Sequence, residues 1–246
     1  MALSDQDFGL LQRTVDVILE RIAELHLSYA VETDFRPLVA YLKANKAYLI
    51  NPTFDPERSD LSSDAFWIRI FDEDGRTVGS HAQRLFHSDD FIGLFESGRI
   101  WYPDGRYQLA PGQEPWRITR PPHFIAGTVA YAGCLFVDPA YRKRGLAVYL
   151  PYLSRGLAFR NYDIDFFTCL TLRQLAETPI PSQSYGYRHI HPMIDGFLPI
   201  SGHNEQAVHI CYLTREETVE QFRALSTSPL LTQPAEPPQI AILRTA

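Results

Sequence analysis

Long apolar runs are missing from this sequence. No stretch approaches the roughly 20 apolar residues that a membrane-spanning helix needs, so the sequence predicts no membrane span. The first residues, MALSDQDFG, lack the basic segment and apolar core of a secretory signal peptide. We therefore expect a soluble protein of the cytoplasm with no membrane partner.

Positive charge is also scarce. The chain has 23 Lys and Arg residues against 29 Asp and Glu residues, which gives a formal net charge of −6 at pH 7. A general nucleic-acid binder needs a long basic stripe to neutralise phosphates, and this sequence has none. The composition therefore argues against a general nucleic-acid binder, so we expect no nucleic-acid partner, and it gives a weak hint of a cationic substrate.

Cysteine and metal-ligand patterns are sparse as well. The three cysteines, Cys134, Cys169 and Cys211, are odd in number and lie far apart inside apolar segments. This pattern predicts buried free thiols in a reducing compartment rather than a disulfide framework. His189 and His191 would share one strand face, but no third ligand accompanies them at a metal-binding spacing. We predict no metal site.

The length of the chain is suited to one large domain. Its 246 residues, 45% of them hydrophobic, can bury a sizeable core. We predict a single domain over 1–246, with a helical N-terminal part at 1–60 and a core at 65–215. Segment 87–123, rich in Asp, Gly, Pro and aromatic residues, is predicted to be an insertion over that core. Segment 226–246 is predicted to be a Pro-rich tail.

Hydrophobic periodicity predicts the secondary structure. Helical patterns lie at 4–27, 34–48, 144–160, 172–177 and 214–225. Strand patterns lie at 65–71, 77–86, 124–137, 163–171, 187–194 and 207–213. This order predicts an α/β (α+β) fold, a mixed and mostly antiparallel sheet of about seven strands with helices on both faces. Segment 124–171 should form a right-handed parallel crossover.

One short stretch, LFVDPAYRKRGLAVYLPYL, contains three consecutive basic residues in a chain of negative net charge. Arg142, Lys143 and Arg144 stand directly before Gly145, between a predicted strand and a predicted helix. A helix N-terminus has unpaired N–H groups and a partial positive charge, so it suits a phosphate or diphosphate. Gly145 and the small Ala147 keep the backbone accessible. A solvated helix start is the alternative explanation of this charge cluster.

The same stretch resembles motif A of the GNAT acyltransferase superfamily. In that family an apolar strand ending in Val-x-Pro leads to Arg/Gln-x-x-Gly-x-Gly/Ala at the start of a helix. The matching positions here are Val137, Pro139, Arg142, Gly145 and Ala147. Downstream, Gly186-Tyr187 resembles the Gly-aromatic pair that opens the family's next strand, and the resemblance covers roughly residues 65–215.

The resemblance implies an acyl-coenzyme A transferase, with acetyl-coenzyme A (acetyl-CoA) as the expected co-substrate. It implies that the diphosphate lies on the N–H groups of the turn and that the pantetheine arm pairs with the preceding strand. The residues implied for cofactor binding are Leu135, Phe136, Val137, Arg142, Lys143, Arg144, Gly145, Leu146 and Ala147. In the family that strand leaves its neighbour at a bulge, which opens a V-shaped cleft for the thioester. Gly133 beside Cys134 is the expected place for the bulge here.

Direct attack of an amine on a thioester needs a general base and a general acid. The family often uses a Tyr shortly ahead of the second-motif glycine as the general acid. This chain has Ser182 at that position. Tyr185 is the nearest phenol and becomes the candidate acid. Tyr131, Asp195 and His189 stay open as candidates for the base.

The sequence therefore predicts an N-acyltransferase, expected to transfer acetyl to an amine of a small molecule or a protein. A non-catalytic acyl-CoA-binding or sensor module stays open, because the family Tyr is missing and no base stands out. An acyltransferase with another acyl donor stays open as well. The acceptor pocket is expected between the first two helices and 87–123, where Asp89, Asp90, Glu96 and Asp104 would attract a cation. The resemblance also suggests a homodimer.

Overall fold

The computed structural model describes residues 3–45, 51–102, 116–196 and 207–232. Its helices are α1 (Asp5–Glu24), α2 (Arg36–Ala44), α3 (Phe91–Glu96), α4 (Leu146–Asn161), α5 (Arg173–Ala176), α6 (Arg215–Ser226) and α7 (Pro229–Thr232). Its strands are β1 (Ser28–Glu32), β2 (Ala65–Phe71), β3 (Thr77–Ser88), β4 (Arg117–Ile118), β5 (Gly127–Val137), β6 (Phe166–Leu172), β7 (His189–Asp195) and β8 (Val208–Thr214). Residue Asp104 and most of the predicted tail lie outside the described residues.

The eight strands form one sheet in the order β1-β2-β3-β5-β6-β8-β7-β4. Every neighbouring pair is antiparallel except β5 and β6, which run parallel and are connected through α4. The predicted mixed, mostly antiparallel architecture and its parallel crossover are therefore confirmed. The sheet has eight strands where the sequence indicated about seven.

Helix α1 illustrates how the sequence specifies its elements. Ser4 caps the helix, because its side chain accepts a hydrogen bond from the Asp7 N–H at 3.1 Å. The apolar side chains that recur at helical spacing are all buried: Leu11, Val15, Ile18 and Ile22. The helix therefore packs through one apolar face, as the periodicity predicted, and this face contacts α4 and α6.

Two hydrophobic cores lie on opposite faces of the sheet. One is formed with α1, α4 and α6, and we call this side of the sheet the α4 face. The other contains apolar residues of α2, α3 and the short 3₁₀ turn Pro52–Phe54, and we call it the α2 face. Because side chains alternate along a strand, the residues of each strand divide between these two cores.

Four elements were missed by the sequence-based prediction, and one of them is α7, which lies in the segment predicted to be an extended tail. β1 and β4 are edge strands, and the pattern of β1 is largely exposed, so neither contains the buried alternation that marks a strand. α3 lies inside the segment predicted to be an irregular insertion. Its core residues Phe91 and Phe95 pack against Tyr131 of the sheet, so this part of the segment belongs to the hydrophobic core.

Helix α4 differs from the amphipathic helix that the sequence suggested. Eleven of its sixteen residues are buried, including Ser154 and Arg155. It is enclosed by the sheet, α1 and α6 rather than lying on the surface with one apolar stripe. Within the described ranges, no helix is both long enough and apolar enough to cross a bilayer.

Candidate functional site

The turn between β5 and α4 has an ordered backbone geometry. Asp138 is 5% exposed and caps a short 3₁₀ helix by accepting a hydrogen bond from the Ala140 N–H at 2.9 Å. Its carboxylate also forms an ion pair with the Arg76 guanidinium. Lys143 and Gly145 have left-handed backbones, with φ of 62° and 84°. Left-handed residues within a turn are typical of the anion-binding concavities called nests.

The N-terminus of α4 begins with unpaired backbone donors. The Gly145 carbonyl accepts the first hydrogen bonds of the helix, from the N–H groups of Val148 at 2.8 Å and Tyr149 at 3.0 Å. Ahead of these, the N–H groups of residues 143–147 have no protein acceptor within the described part of the chain. Unpaired N–H groups at a helix start are a ready site for an anion.

The three cations of the turn are held differently. Arg142 donates a hydrogen bond from Nε to the Val137 carbonyl at 3.1 Å. The Arg144 guanidinium lies over the Tyr141 ring, 5.0 Å from its centroid. Lys143 is exposed. Two cations therefore have contacts on the turn, and the third is exposed beside the unpaired N–H groups.

The predicted cofactor residues at the start of α4 present their backbone, rather than polar side chains, to the candidate anion site. The Leu146 side chain is 1% exposed and lies in the core of the α4 face. The Ala147 side chain is exposed, and a small residue there leaves the first turn of α4 open. Gly145 contributes its left-handed backbone.

Strands β5 and β6 separate beyond the middle of the sheet. Their parallel pairing begins at Val129↔Phe166 and ends at Ala132↔Cys169. Beyond that point β5 continues to Val137 paired only with β3, while β6 stays paired with β8. The two strands therefore leave a V-shaped opening between them, and its closed end lies at Ala132 and Cys169.

A bulge in β5 accompanies the opening. The pairing with β3 shifts by one residue between Ala82↔Gly133 and Ser80↔Phe136, so two residues of β5 face one residue of β3. Cys134, at the bulge, has a left-handed backbone with φ of 54°. The bulge lies where the sequence analysis expected it.

The other predicted pantetheine residues line the diverging part of β5. Leu135 and Val137 pack on the α4 face, while Phe136 packs on the α2 face against Tyr41, with ring centroids 5.6 Å apart. Cys134 also lies on the α2 face, and burial raises the pKa of its thiol to about 12. It is therefore a neutral, apolar wall residue.

An antiparallel β2–β3 hairpin, a bulged β5, a turn into α4 and a diverging β6 occur here in the order that the GNAT resemblance predicts. The chain has the GNAT fold. β7 begins at His189, two residues after the start predicted at Tyr187, so the Gly186-Tyr187 pair lies just before the strand.

Solved structures of acyltransferases are similar to this GNAT-fold chain. NAA60 from Arabidopsis thaliana in complex with acetyl-CoA is 14% identical, with a TM-score of 0.47, over 77% of this chain and 99% of that one. FeeM, an N-acyl amino acid synthase from uncultured soil microbes, is 12% identical, with a TM-score of 0.44, over 81% and 94%. Spermidine N-acetyltransferase from Vibrio cholerae is 10% identical, with a TM-score of 0.45, over 78% and 95%.

At these identities the likeness concerns the fold alone. No protein-family model matches the chain. No curated protein matches it either.

The candidate acid Tyr185 lies at the end of a π-helical turn, Ile180–Ser184. It is half-buried and packs with Tyr187, Cys211 and Cys169 beside the closed end of the opening. Ser182, at the position of the family Tyr, is exposed and donates its hydroxyl to the Pro179 carbonyl at 3.1 Å.

The three candidate bases have different environments. Tyr131 is 1% exposed, its hydroxyl accepts a hydrogen bond from Asn51 at 2.8 Å, and burial raises its pKa well above its usual value. Asp195 is exposed at the end of β7, with its carboxylate 4.0 Å from the Arg117 guanidinium. His189 lies 2.7 Å from a carboxylate oxygen of Glu217. His189 therefore has the one arrangement typical of an oriented imidazole.

The surroundings of His189 were not visible from the sequence. Its ring stacks on Tyr212, with centroids 4.6 Å apart, and the Tyr212 hydroxyl lies 2.9 Å from Nδ1 of His123. Burial tends to raise the pKa of Glu217, but hydrogen bonds from the Thr214 N–H and from His189 outweigh it and leave the pKa lowered. Glu217 is therefore ionised at neutral pH.

His189 and His191 do share a strand face, with ring centroids 6.4 Å apart. Across residues 3–45, 51–102, 116–196 and 207–232, no group of three or more His, Cys, Asp or Glu side chains is arranged to hold a metal ion.

The acidic residues of the predicted insertion are less available than the sequence suggested. Arg120 forms ion pairs with Asp90 at 2.8 Å and with Glu96 at 2.6 Å. These pairs lower the pKa of Asp90, chiefly through the Arg120 hydrogen bond. Much of the negative charge expected to attract a cationic amine is therefore balanced locally.

A polar cluster under α4 was also missed. Arg155 is 2% exposed, and its guanidinium lies over the rings of Tyr187 at 4.5 Å and Tyr152 at 5.4 Å. Cys169 of β6 and Cys211 of β8 are directly opposite each other in the sheet beside Tyr187. The sequence contained one clue to this cluster, an arginine within a run of apolar helical residues. Arginine is uncommon at fully buried positions.

Proposed function

We propose that this protein is an acyl-CoA-dependent N-acyltransferase that transfers acetyl from acetyl-CoA to an amine by direct attack. One observation carries the proposal: the unpaired N–H groups at residues 143–147 and the opening between β5 and β6 lie at the two ends of the same stretch, Leu135–Ala147. A diphosphate at the first and a thioester at the second match the two ends of the pantetheine arm of acetyl-CoA.

The binding roles follow from the geometry of the turn. The N–H groups of residues 143–147 would hold the diphosphate, because the helix start is rich in donors and positive in potential. The Arg142 N–H, which the resemblance also implied, already donates to the Pro139 carbonyl. Lys143 and Arg144 would neutralise further phosphate charge. The diverging edge of β5, at Leu135–Val137, would pair with the amides of the pantetheine arm, because β6 no longer occupies its hydrogen-bonding positions.

The catalytic roles rest on positioning and proton transfer. The acceptor amine would reach the thioester across the opening, so that proximity supplies much of the rate. A backbone N–H of β5 would polarise the thioester carbonyl. We assign the general acid to Tyr185, which is accessible and lies beside the closed end of the opening, and the general base to His189, which Glu217 orients.

The acceptor is proposed to be an amine of a small molecule or a protein. The α2 face of the opening is lined by aromatic side chains, including Tyr41, Phe54 and Phe136, so an amine bearing an apolar group fits this wall better than a polyamine. A cytoplasmic location, a single domain over 1–246 and a homodimer remain proposals.

The alternative is an acyl-CoA-binding or sensor module without catalysis. The observation that favours it is Ser182, whose hydroxyl is directed to a backbone carbonyl at the position where the family has its acidic Tyr. Such a module would bind acetyl-CoA with the same turn and would leave amines unmodified.

Calorimetry with purified protein tests the proposed function directly. We expect acetyl-CoA to bind with one site per chain, and free CoA to compete with it. A panel of amines, comprising arylalkylamines, amino acids, polyamines and peptides, is then assayed for CoA release and for the mass of the acylated product. Absence of acetyl-CoA binding to folded protein refutes both candidates, whereas binding without transfer to any amine supports the sensor module.

A further inference from the structure

The guanidinium of Arg155 is a buried positive charge without a counter-ion. Its exposure is 2%, and Nη1 and Nη2 have no hydrogen-bond partner among the described residues. No ion pair joins it to a carboxylate in the same part of the chain. Buried charges are normally paired, because leaving one unpaired in an apolar interior is costly. An anionic group of a bound ligand would supply the missing counter-ion, which would explain why the chain has a charge at this buried position.

The neighbours of Arg155 are neutral or weakly acidic groups from every element around it. They are Tyr152 of α4, His81 of β3, Cys169 of β6, Cys211 of β8 and Tyr187 before β7. We call these residues and Arg155 the Arg155 cluster. Burial and the Arg155 charge lower the pKa of His81 to about 3, so His81 is neutral and adds no charge.

Hydrogen-bond donors, together with the Arg155 charge, favour anionic sulfur at Cys169 even though burial opposes it. The pKa of the Cys169 thiol is lowered, first by the hydrogen bond from Cys211, then by the one from Tyr187 and by the charge of Arg155. Tyr187 itself has a raised pKa, because burial outweighs the effect of Arg155, so it stays a hydrogen-bond donor. The cluster therefore combines one cation and one phenol donor around a sulfur position.

The cluster also has the right place for the sulfur of CoA. Cys169 belongs to the last paired residues before β5 and β6 separate, and it is partly exposed there. Arg155 lies ten residues after Gly145, about 15 Å along the helix axis. The diverging part of β5, from Val137 back to Ala132, is about 16 Å long. An extended pantetheine arm of similar length, anchored by its diphosphate at Gly145, ends at the cluster.

We propose that Arg155 is a catalytic residue that receives the CoA thiolate as the amine displaces it. This inference rests on the proposed function. In the step, the amine nitrogen forms a bond to the thioester carbonyl carbon, and the carbon–sulfur bond breaks with its electron pair on sulfur. The thiolate charge is then stabilised by the Arg155 guanidinium. The amine proton passes to the general base, and the thiolate is later protonated from Tyr185.

The test compares CoA with desulfo-CoA, which lacks only the sulfur. Affinities are measured by calorimetry with a reducing phosphine present, at pH 8 and at pH 6. For the unmodified protein we expect CoA to bind at least tenfold more tightly than desulfo-CoA at pH 8. The preference should fall at least threefold at pH 6, where the bound thiol is protonated to a larger extent.

Variants separate the ligand from the protein's own thiol. Arg155→Met should abolish the preference while desulfo-CoA affinity changes less than twofold, and Arg155→Lys should keep part of it. Cys169→Ala should keep the whole preference. If the preference survives in Arg155→Met, or disappears in Cys169→Ala, the proposal is wrong, and in the second case Arg155 serves Cys169 instead.

A second measurement needs no variant. Ultraviolet difference titration at the thiolate band, with desulfo-CoA as the reference ligand, gives the pKa of the bound CoA thiol. We expect it at least one unit below that of free CoA, and an unchanged value overturns the inference. Equal binding of both ligands refutes the role of Arg155 and leaves the proposed function intact, whereas binding of neither refutes the proposed function.

Discussion

The aromatic ring of Tyr149 lies directly over Gly145. A Cβ atom added at residue 145 would be 2.8 Å from two ring carbons of Tyr149, closer than real Cβ contacts, and the glycine has a left-handed backbone with φ of 84°. A side chain from the first turn of α4 therefore packs on the glycine at which the helix begins. This contact fixes the position of the N–H groups to which we assign the diphosphate.

Substitution of Gly145 by Ala should reduce both stability and acetyl-CoA binding. A left-handed backbone costs an L-residue about 1–2 kcal/mol, and displacement of the Tyr149 ring adds to it. We expect at least a tenfold loss of acetyl-CoA affinity by calorimetry. Gly75→Ala is the matched control, because Gly75 has φ of 75° but no atom within 4 Å of the added Cβ. It should lose similar backbone energy and keep its affinity, and equal losses of affinity in both variants would contradict the assignment.

Reversal of charge at Arg144 should weaken binding in a salt-dependent manner. Arg144→Glu places a carboxylate beside the N–H groups of the turn, so we expect acetyl-CoA affinity to fall about tenfold or more at low ionic strength. The difference from the unmodified protein should shrink as salt is added. Arg117→Glu, a reversal at an 82% exposed side chain on the edge strand β4, should change affinity little. Equal effects at both positions would mean that only net charge matters.

The buried, unpaired charge of Arg155 should destabilise the folded protein. Exchange of an unpaired buried charge for an apolar side chain of similar length removes a desolvation penalty, so Arg155→Met should raise the free energy of unfolding by about 1–3 kcal/mol. Urea unfolding of the ligand-free protein measures this change. Marked destabilisation would show that the guanidinium is needed for packing.

Arg215 provides the opposite case at similar burial. Its guanidinium is 6% exposed, donates to the Ile164 carbonyl at 2.7 Å and to Asp165 at 2.8 Å, and pairs with Asp163. Arg215→Met should destabilise the protein by about 3 kcal/mol or more, because it leaves these acceptors without their cation. The two Arg→Met substitutions should therefore have opposite signs in the same urea experiment.

His81 should make the folded state sensitive to acid. Burial lowers its pKa from 6.5 to about 3, so between these values the unfolded chain binds a proton that the folded chain does not. The stability contributed by neutral His81 is complete above pH 6.5 and is lost as the pH falls toward 3. Between pH 7 and pH 5 the loss is about 2 kcal/mol.

Chemical denaturation at several pH values tests this contribution. His81→Gln should flatten the pH dependence in this window, after correction for its own change in stability at pH 7. His26→Gln, at a side chain that is 83% exposed, is the control and should leave the slope unchanged. An equally steep slope without His81 would assign the acid sensitivity to other groups.

The sequence predicted the parts of the fold that are recorded in local patterns. The spacing of Leu11, Val15 and Ile18 specified α1, and the order of strand, basic turn and helix specified the motif that ends at Gly145. The same pattern located the bulge near Cys134, because a glycine inside a strand favours one. These features depend on residues close together in the chain.

The parts that were missed depend on contacts between distant residues. Cys169 and Cys211 seemed unrelated in sequence, yet the β6–β8 register places them opposite each other. The unpaired state of Arg155 depends on five parts of the fold that meet, and neither residue type nor spacing indicates it. The ion pair between Asp90 and Arg120 likewise joins residues that lie 30 positions apart in the chain.

The extra residue in β5 has a consequence for how this chain tolerates insertions and deletions. Before the bulge, Tyr131 and Gly133 point to the α2 face, and after it Cys134 and Phe136 do so, so the alternation is reset by one position. Deletion of Cys134 would restore strict alternation and an unbroken ladder with β3. It would leave Phe136 and Val137 on their present faces, because they stay opposite Ser80 and Gly79. The chain length at this one point, rather than the identity of any side chain, therefore sets whether β5 has the bulge that accompanies its separation from β6.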